Sequence, residues 1–495
     1  MSSATTRVLR ADVVVIGAGA AGPVVVRKLL DHTDADVLLI EAGADYGRHD
    51  TGSWPADLLD ADTLPDSHDW GYRGPGHGGT WAFGRARVVG GCTAHNGCSQ
   101  TAGVRADYEA LGIDWAPGEL DARVAALLRE GRAEQPAEDE LTPFQGAMLD
   151  AFAETGIART DDLADLDGVA GCGPAPMNSP DGVRWNSAFG YLDDVRDHPR
   201  LRILAGAEVD RLVVEHGSVV AALARDDAGA VTEVRGDRFV LCAGAYGSPE
   251  ILLRSGIGPA DELRALGIEV AVDLPGVGAN LHDHVTVEVR FAATETLVAA
   301  TAAFGAVRRA PDEQVIAKAR SGHGPAPYDL HLFPFTDLAS GRLEAVIPAG
   351  VVAPRSRGRL RLVSADPAAR AELDHGYLRD PADAAALRAG LDLVRGAAAT
   401  TALAPLLGAA VPDPVTGADH TFFHYWHPAG TCAIGSVVDT TGRVHGLANV
   451  HVIDTSLFPQ VPRATTHLPT GLLADRLSDD LVGRAFPPPD REVSR

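Results

Sequence analysis

Asp12-Val13-Val14-Val15-Ile16-Gly17-Ala18-Gly19-Ala20-Ala21-Gly22 decides the fold class. A short β-branched run suits a buried strand, and here it breaks at glycines spaced Gly-x-Gly-x-x-Gly. An apolar stretch from Pro23 to Leu30 follows as a helix. A second apolar run, Val37-Leu38-Leu39-Ile40, is closed by Glu41. The order is strand, glycine turn, helix, strand, with an acid about twenty positions beyond the turn. Gly17 permits the tight turn, Gly19 lets the backbone approach a pyrophosphate, and Gly22 packs helix on strand. The helix N-terminus offers N–H donors to phosphates, and Glu41 is placed to accept from ribose hydroxyls. A dinucleotide site in a Rossmann-like α/β domain is the expectation. The motif alone does not separate FAD from NAD.

The 495 residues exceed one simple core, so two domains are expected. Hydrophobic content of 45% and a mean hydropathy close to zero describe an ordinary globular chain. The net charge of −24 argues against nucleic-acid binding and is compatible with a cationic substrate. No apolar run reaches the roughly 18 residues that span a bilayer, so no membrane partner is expected. The opening Met1-Ser2-Ser3-Ala4-Thr5-Thr6-Arg7 lacks the apolar segment of a secretory signal, and the expectation is a cytoplasmic protein. Cys92, Cys98, Cys172, Cys242 and Cys432 are scattered and odd in number, which indicates reduced core thiols rather than zinc or disulfides.

Further along stands Gly84-Arg85-Ala86-Arg87-Val88-Val89-Gly90-Gly91-Cys92-Thr93-Ala94-His95-Asn96-Gly97-Cys98. Paired Gly90 and Gly91 among small residues suit backbone laid against a flat ligand. With the opening motif, this stretch resembles the first signature of the glucose–methanol–choline (GMC) oxidoreductases, which use FAD. Its Gly-Gly-Cys-Thr-Ala-His-Asn form is most similar to the choline-oxidase branch. That resemblance implies a covalent link from FAD to His95, with Asn96 contacting the flavin or lining its pocket.

The resemblance runs from Val13 to about Leu481. Val240 to Pro259, through Gly244-Ala245-Tyr246-Gly247-Ser248-Pro249-Glu250, matches a second family signature and has the form of a buried strand, a small-residue turn, a Ser-Pro helix start and a glycine stop. Val124, Leu127 and Leu128 have helical spacing within an excursion at about 113–180. The family also implies that the Val209 backbone meets the adenine. Leu274 to His284 is another family segment, whose His282 and His284 are expected to be structural and not metal ligands. No metal is expected. Asp329 to Pro334 and Pro354 to Leu362 are expected as strands of an antiparallel sheet, covered by a helix from Asp383 to Val394. His331 matches a position near the substrate in the family, while its place in an alternating strand equally suits a structural role. The stretch Thr294 to Gly322 departs most from the choline-oxidising members, and no counterpart of their substrate-binding glutamate is placed in it.

The chemistry converges on Phe423-His424-Tyr425-Trp426-His427-Pro428-Ala429-Gly430-Thr431 and Thr465-Thr466-His467-Leu468-Pro469. Histidine accepts and returns protons near neutral pH. By resemblance His427 and His467 are the catalytic pair: His427 leads as the base, with His467 polarising the substrate oxygen, though the roles are interchangeable on sequence alone. Asp454 is expected to approach the flavin, and Tyr425 and Trp426 to line the substrate pocket. The implied fold joins an FAD domain, residues 8–287 and 423–490, to a substrate domain, residues 288–422. The implied activity is an alcohol oxidase that converts a primary alcohol to an aldehyde, with oxygen reduced to hydrogen peroxide. The alternatives are a dehydrogenase using another acceptor and a hydroxynitrile-lyase-type flavoprotein without redox turnover.

Overall fold

The computed structural model describes residues 7–483 except 77, 340, 414 and 415. The opening residues 1–6, and the 484–490 portion of the expected FAD segment, lie outside the described residues. The strand Arg7–Ile16 sits inside a seven-stranded sheet, parallel to Val37–Ile40 on one side and to Val231–Leu241 on the other. Leu201–Leu204 extends the sheet beyond Val37–Ile40, and Val450–Val452 joins Val231–Leu241, both in parallel. Val14, Val15, Val37 and Leu39 are fully buried, without the alternation of a one-sided sheet. Parallel strands covered on both faces read this way. Their register brings Ile16, Ile40, Leu241 and Val452 to one edge, where open α/β sheets bind ligands.

One face carries the helix Gly22–His32, which buries Val24, Val25, Val26, Leu29 and Leu30 and packs against the helix His467–Val482. The helix of the second signature runs Gly244–Arg254, so Pro249 lies inside it and not at its start. Proline has no N–H to give the carbonyl four residues earlier, which is that of Ala245. The Thr431 hydroxyl donates to that carbonyl at 2.6 Å. The fifth residue of His427-Pro428-Ala429-Gly430-Thr431 thus repairs the bond that Pro249 removes, tying the final motif to this helix.

The second large sheet has eight strands, ordered Leu407–Val411, Val285–Ala293, Arg342–Val351, Leu330–Leu332, Val315–Ala319 and Gly171–Pro174, with Phe335–Ala339 and Thr421–His424 pairing from the sides. All of its pairings are antiparallel. The helix Pro381–Ala398 covers it with Ala386, Leu387, Leu391 and Val394 inward. Two elements depart from expectation. Gly358–Arg361 pairs with Ala279–Leu281 and Glu372–Asp374 in a separate small sheet. Within the 113–180 excursion, the helix Pro143–Glu154 places Phe144, Met148, Leu149 and Phe152 in the same apolar cluster as the antiparallel sheet, and Gly171–Pro174 is that sheet's edge. Among the described residues, no helix is long and apolar enough to cross a membrane.

Candidate functional site

A cavity of about 600 Å³ extends from the edge of the parallel sheet to the antiparallel sheet. Gly17, Gly19, Glu41 and Val209 line one end, Gly91, His95 and Asp454 the middle, and Asn96, Tyr425, Trp426, His427 and His467 the other. Gly22, Gly90 and His331 do not line it.

At the first end, two loops are laced together by glycines. Gly17 has φ of +101°, and a Cβ there would lie 2.5 Å from the Cys242 carbonyl oxygen. A Cβ on Gly91, whose φ is +52°, would lie 2.6 Å from the Gly19 Cα. The Gly90 N–H donates to the Ala18 carbonyl at 2.7 Å, which closes this contact. Gly22 packs within the turn itself, its α-carbon turned toward the Gly17 carbonyl. Glu41 accepts from the Ala18 and Gly43 N–H groups, each at 2.9 Å. Burial raises its pKa, against the lowering effect of those donors. Asp454 caps the turn Thr455–Leu457 and accepts from Ser248 Oγ at 2.6 Å and the Gly244 N–H at 2.9 Å. A floor of bare backbone, a helix N-terminus and a buried acid beside it fit a dinucleotide such as FAD.

His95 lies at the cavity wall. The Ser67 carbonyl accepts from its ring, while Nε2 is buried without a partner. Burial and the nearby Arg184 hold its pKa down at about 4. The ring is therefore neutral, with the Nε2 lone pair uncommitted.

At the far end, His427 follows the strand Thr421–His424 across a strained turn. Trp426 has φ of +58°, a left-handed conformation costing of order 1–3 kcal/mol in a non-glycine residue. Three bonds hold it. Arg85 donates to the Trp426 carbonyl at 3.0 Å, the Trp426 N–H donates to His424 Nδ1 at 3.3 Å, and the His427 N–H donates to Asp283 at 2.8 Å. The Tyr377 hydroxyl also donates to Asp283, at 3.0 Å. Burial pushes the Asp283 pKa up to about 7, opposed by Arg85. Tyr425 stacks on Phe333 with ring centres 4.0 Å apart. The Nδ1 of His427 is 2.9 Å from the Nδ1 of His284. His467 begins the helix His467–Val482, with its Nδ1 3.0 Å from Gln100 Nε2 and 3.3 Å from Asn96 Nδ2. Burial depresses both catalytic candidates, His467 to about 4 and His427 well below the usual histidine range. Two neutral imidazoles thus line the same cavity, an arrangement able to accept one proton and donate another.

His331 is fully buried behind this end, stacked on Tyr328 at 5.7 Å, with neither ring nitrogen hydrogen-bonded. Of the two histidines expected to be structural, His282 is so: its Nδ1 donates to the Asn280 carbonyl and its Nε2 accepts from the Val461 N–H. His284 instead touches His427. The largest omission of the sequence reading is Glu313, which lines the cavity from within the stretch where no acidic contact was placed. Burial, and then Asp312 and Glu288, raise its pKa to about 8. No spacing signal marks it, since its place depends on the fold of a stretch without a motif.

Residues 11–286 match the N-terminal model of the family described as GMC oxidoreductase, and residues 354–474 match its C-terminal model. The chain is 31% identical to a 5-(hydroxymethyl)furfural oxidase of Methylovorus sp. (strain MP688), over 96% of this chain and 99% of that protein. It is 28% identical to an oxygen-dependent choline dehydrogenase of Paraburkholderia phymatum, over 96% and 93% of the two chains. The structure superposes on pyridoxine 4-oxidase from Mesorbium loti with a TM-score of 0.83 and 25% identity, covering 96% of this chain and 100% of that one.

Proposed function

The chain belongs to the GMC oxidoreductase family and is an FAD-dependent oxidoreductase acting on CH–OH groups; from that premise we propose that it oxidises a primary alcohol to an aldehyde, with oxygen as the electron acceptor. Bound FAD supplies the hydride acceptor. The observation that carries this reading is the pair of neutral histidines, His427 and His467, in the same cavity that Gly17 and Glu41 line. His427 takes the hydroxyl proton as the carbon gives up its hydride, and His467 hydrogen-bonds the substrate oxygen. General base catalysis of this kind is worth about 10²–10⁴-fold. Gly17, Gly19, Gly91, Glu41, Val209 and Asp454 hold the cofactor, and the unpartnered Nε2 of His95 supports a covalent bond to it.

The cavity lining combines a polar group with aromatic ones. Glu313 supplies a buried carboxyl, Tyr425 and Trp426 an apolar wall. A hydroxymethyl compound bearing an amine or another polar group fits this pairing. The alcohols in the relatives' names, hydroxymethylfurfural, choline and pyridoxine, are accordingly the first to try. The holoenzyme is mixed anaerobically with each, the flavin band is followed, and air is then admitted. Bleaching followed by rapid return of colour with hydrogen peroxide is the expected result. Slow return in air overturns oxygen as the acceptor, and no bleaching by any of these alcohols overturns the substrate class.

A further inference from the structure

A chain of hydrogen bonds with only one allowed direction runs to the Nδ1 of His467. It starts at the Trp185 carbonyl, which accepts and cannot donate. Asn178 Nδ2 donates to that carbonyl at 2.7 Å, so its Oδ1 faces the other way. Gln100 Nε2 donates to this Oδ1 at 3.0 Å. The same Nε2 stands 3.0 Å from His467 Nδ1 and 3.4 Å from the Cys98 carbonyl, so its second hydrogen has the histidine as the nearer acceptor. An amide nitrogen has hydrogens to give and no lone pair to accept, so His467 Nδ1 is the acceptor. Asn96 repeats the constraint independently: its Oδ1 accepts from the Cys98 N–H at 3.3 Å, and its Nδ2 lies 3.3 Å from the same Nδ1. Asn178 and Gln100 are 1% and 4% exposed, so water does not substitute for either.

We propose that Asn178 and Gln100 form a positioning relay that holds His467 as the Nε2–H tautomer, making it a donor to the substrate oxygen and leaving His427 as the base. This deepens the proposed alcohol oxidation and rests on it. A neutral imidazole carries one N–H; with Nδ1 accepting, that hydrogen is on Nε2. For His467 to act as a base, Nε2 must be bare and Nδ1 protonated, which would set an N–H against the Gln100 and Asn96 amide hydrogens. Turning the Gln100 amide to present its oxygen would set two oxygens face to face at Asn178. Burial already disfavours a second proton on the ring. The two histidines therefore divide the work by the partners of their Nδ1 atoms, not by their own chemistry.

The test is ¹⁵N NMR of the holoenzyme labelled in histidine, with the His467 signals assigned by their loss in His467→Asn. The unmodified protein is expected to show His467 with Nδ1 unprotonated and Nε2 protonated; the opposite pattern overturns the relay whatever the activity. Gln100→Glu, which replaces the donor by an acceptor of the same shape, is expected to move the proton to Nδ1. It should slow anaerobic flavin reduction at saturating alcohol by about 10²-fold, the usual loss for one preorganised donor, with substrate affinity changed less than about threefold. Gln100→Met, which removes this donor without adding charge and leaves Asn96 at Nδ1, is expected to give a smaller slowing of the same kind. Unchanged reduction rates in both variants overturn the relay. The base assignment fails separately: if His427→Ala reduces flavin at a near-normal rate while the tautomer pattern holds, the proposed role of His427 is wrong and the relay stands.

Discussion

His284 and His427 meet through their Nδ1 atoms, 2.9 Å apart, with ring planes at 90°. Burial lowers the pKa of His284 to about 3 and that of His427 well below the ordinary value, so both rings are neutral at pH 7. Two lone pairs cannot face each other at this distance, so one Nδ1 carries the hydrogen between them. For His427 to serve as the base, that hydrogen must sit on its own Nδ1 and be donated to His284, which leaves the His427 Nε2 bare for the substrate.

Replacing His284 tests this directly. His284→Leu removes the acceptor and is expected to slow flavin reduction by at least about 10-fold, within the range general base catalysis contributes. His284→Asn, which keeps an oxygen near the position of Nδ1, is expected to recover a substantial part of the rate. Equal loss in the two variants would mean that His284 acts only by filling space. Stopped-flow absorbance at the flavin band reads both.

His95 makes a second prediction. Protein precipitated with acid is expected to retain its yellow colour in the pellet, and His95→Ala is expected to release flavin into the supernatant. Colour in the supernatant of the unmodified protein would rule out the covalent bond. The basis is the neutral ring with an unpartnered Nε2 at the cavity wall.

Glu313 predicts a pH dependence whose sign follows from its raised pKa of about 8. Below that value the carboxyl is protonated and attracts a cation weakly; above it the carboxylate attracts one strongly. For an alcohol bearing a quaternary ammonium group, KM is therefore expected to fall as pH rises through about 8. The fall should be absent in Glu313→Gln and absent for a neutral alcohol. A flat KM for the cationic alcohol in the unmodified protein would separate Glu313 from substrate recognition.

Gly91 tests the cofactor floor. Its left-handed backbone penalises any side chain by roughly 1–2 kcal/mol, and a Cβ would press on the Gly19 Cα at 2.6 Å. Gly91→Ala is expected to purify with most of its flavin absent, measured as the ratio of flavin to protein absorbance, and with a lower Tm. Full flavin content at an unchanged Tm would show that the two loops separate readily.

The parts legible in the sequence were those encoded by neighbours along the chain. The strand expected at Asp12–Ile16, which the structure extends back to Arg7, the glycine turn, the helix after it and Glu41 all stand as a continuous segment, because backbone torsions and apolar periodicity are local properties. The motif residues His427 and His467 were visible for the same reason, each carried by a short block of small residues and prolines. The Ser248-Pro249 pair misled, because an interior proline is tolerated only when a distant group takes over the lost bond, and Thr431 does so from 186 positions away. The tertiary structure alone decided what surrounds the two histidines. It set His284 against His427, brought Gln100 and Asn178 to His467, raised Glu313 into the cavity and buried His331 behind it. It also joined Pro143–Glu154 and Gly171–Pro174 to the antiparallel sheet. Each of these depends on contacts between segments remote in sequence, where a one-residue shift in register turns a side chain from cavity to core. Local sequence determined which groups are able to take or give a proton; only their packed neighbours determine which one does.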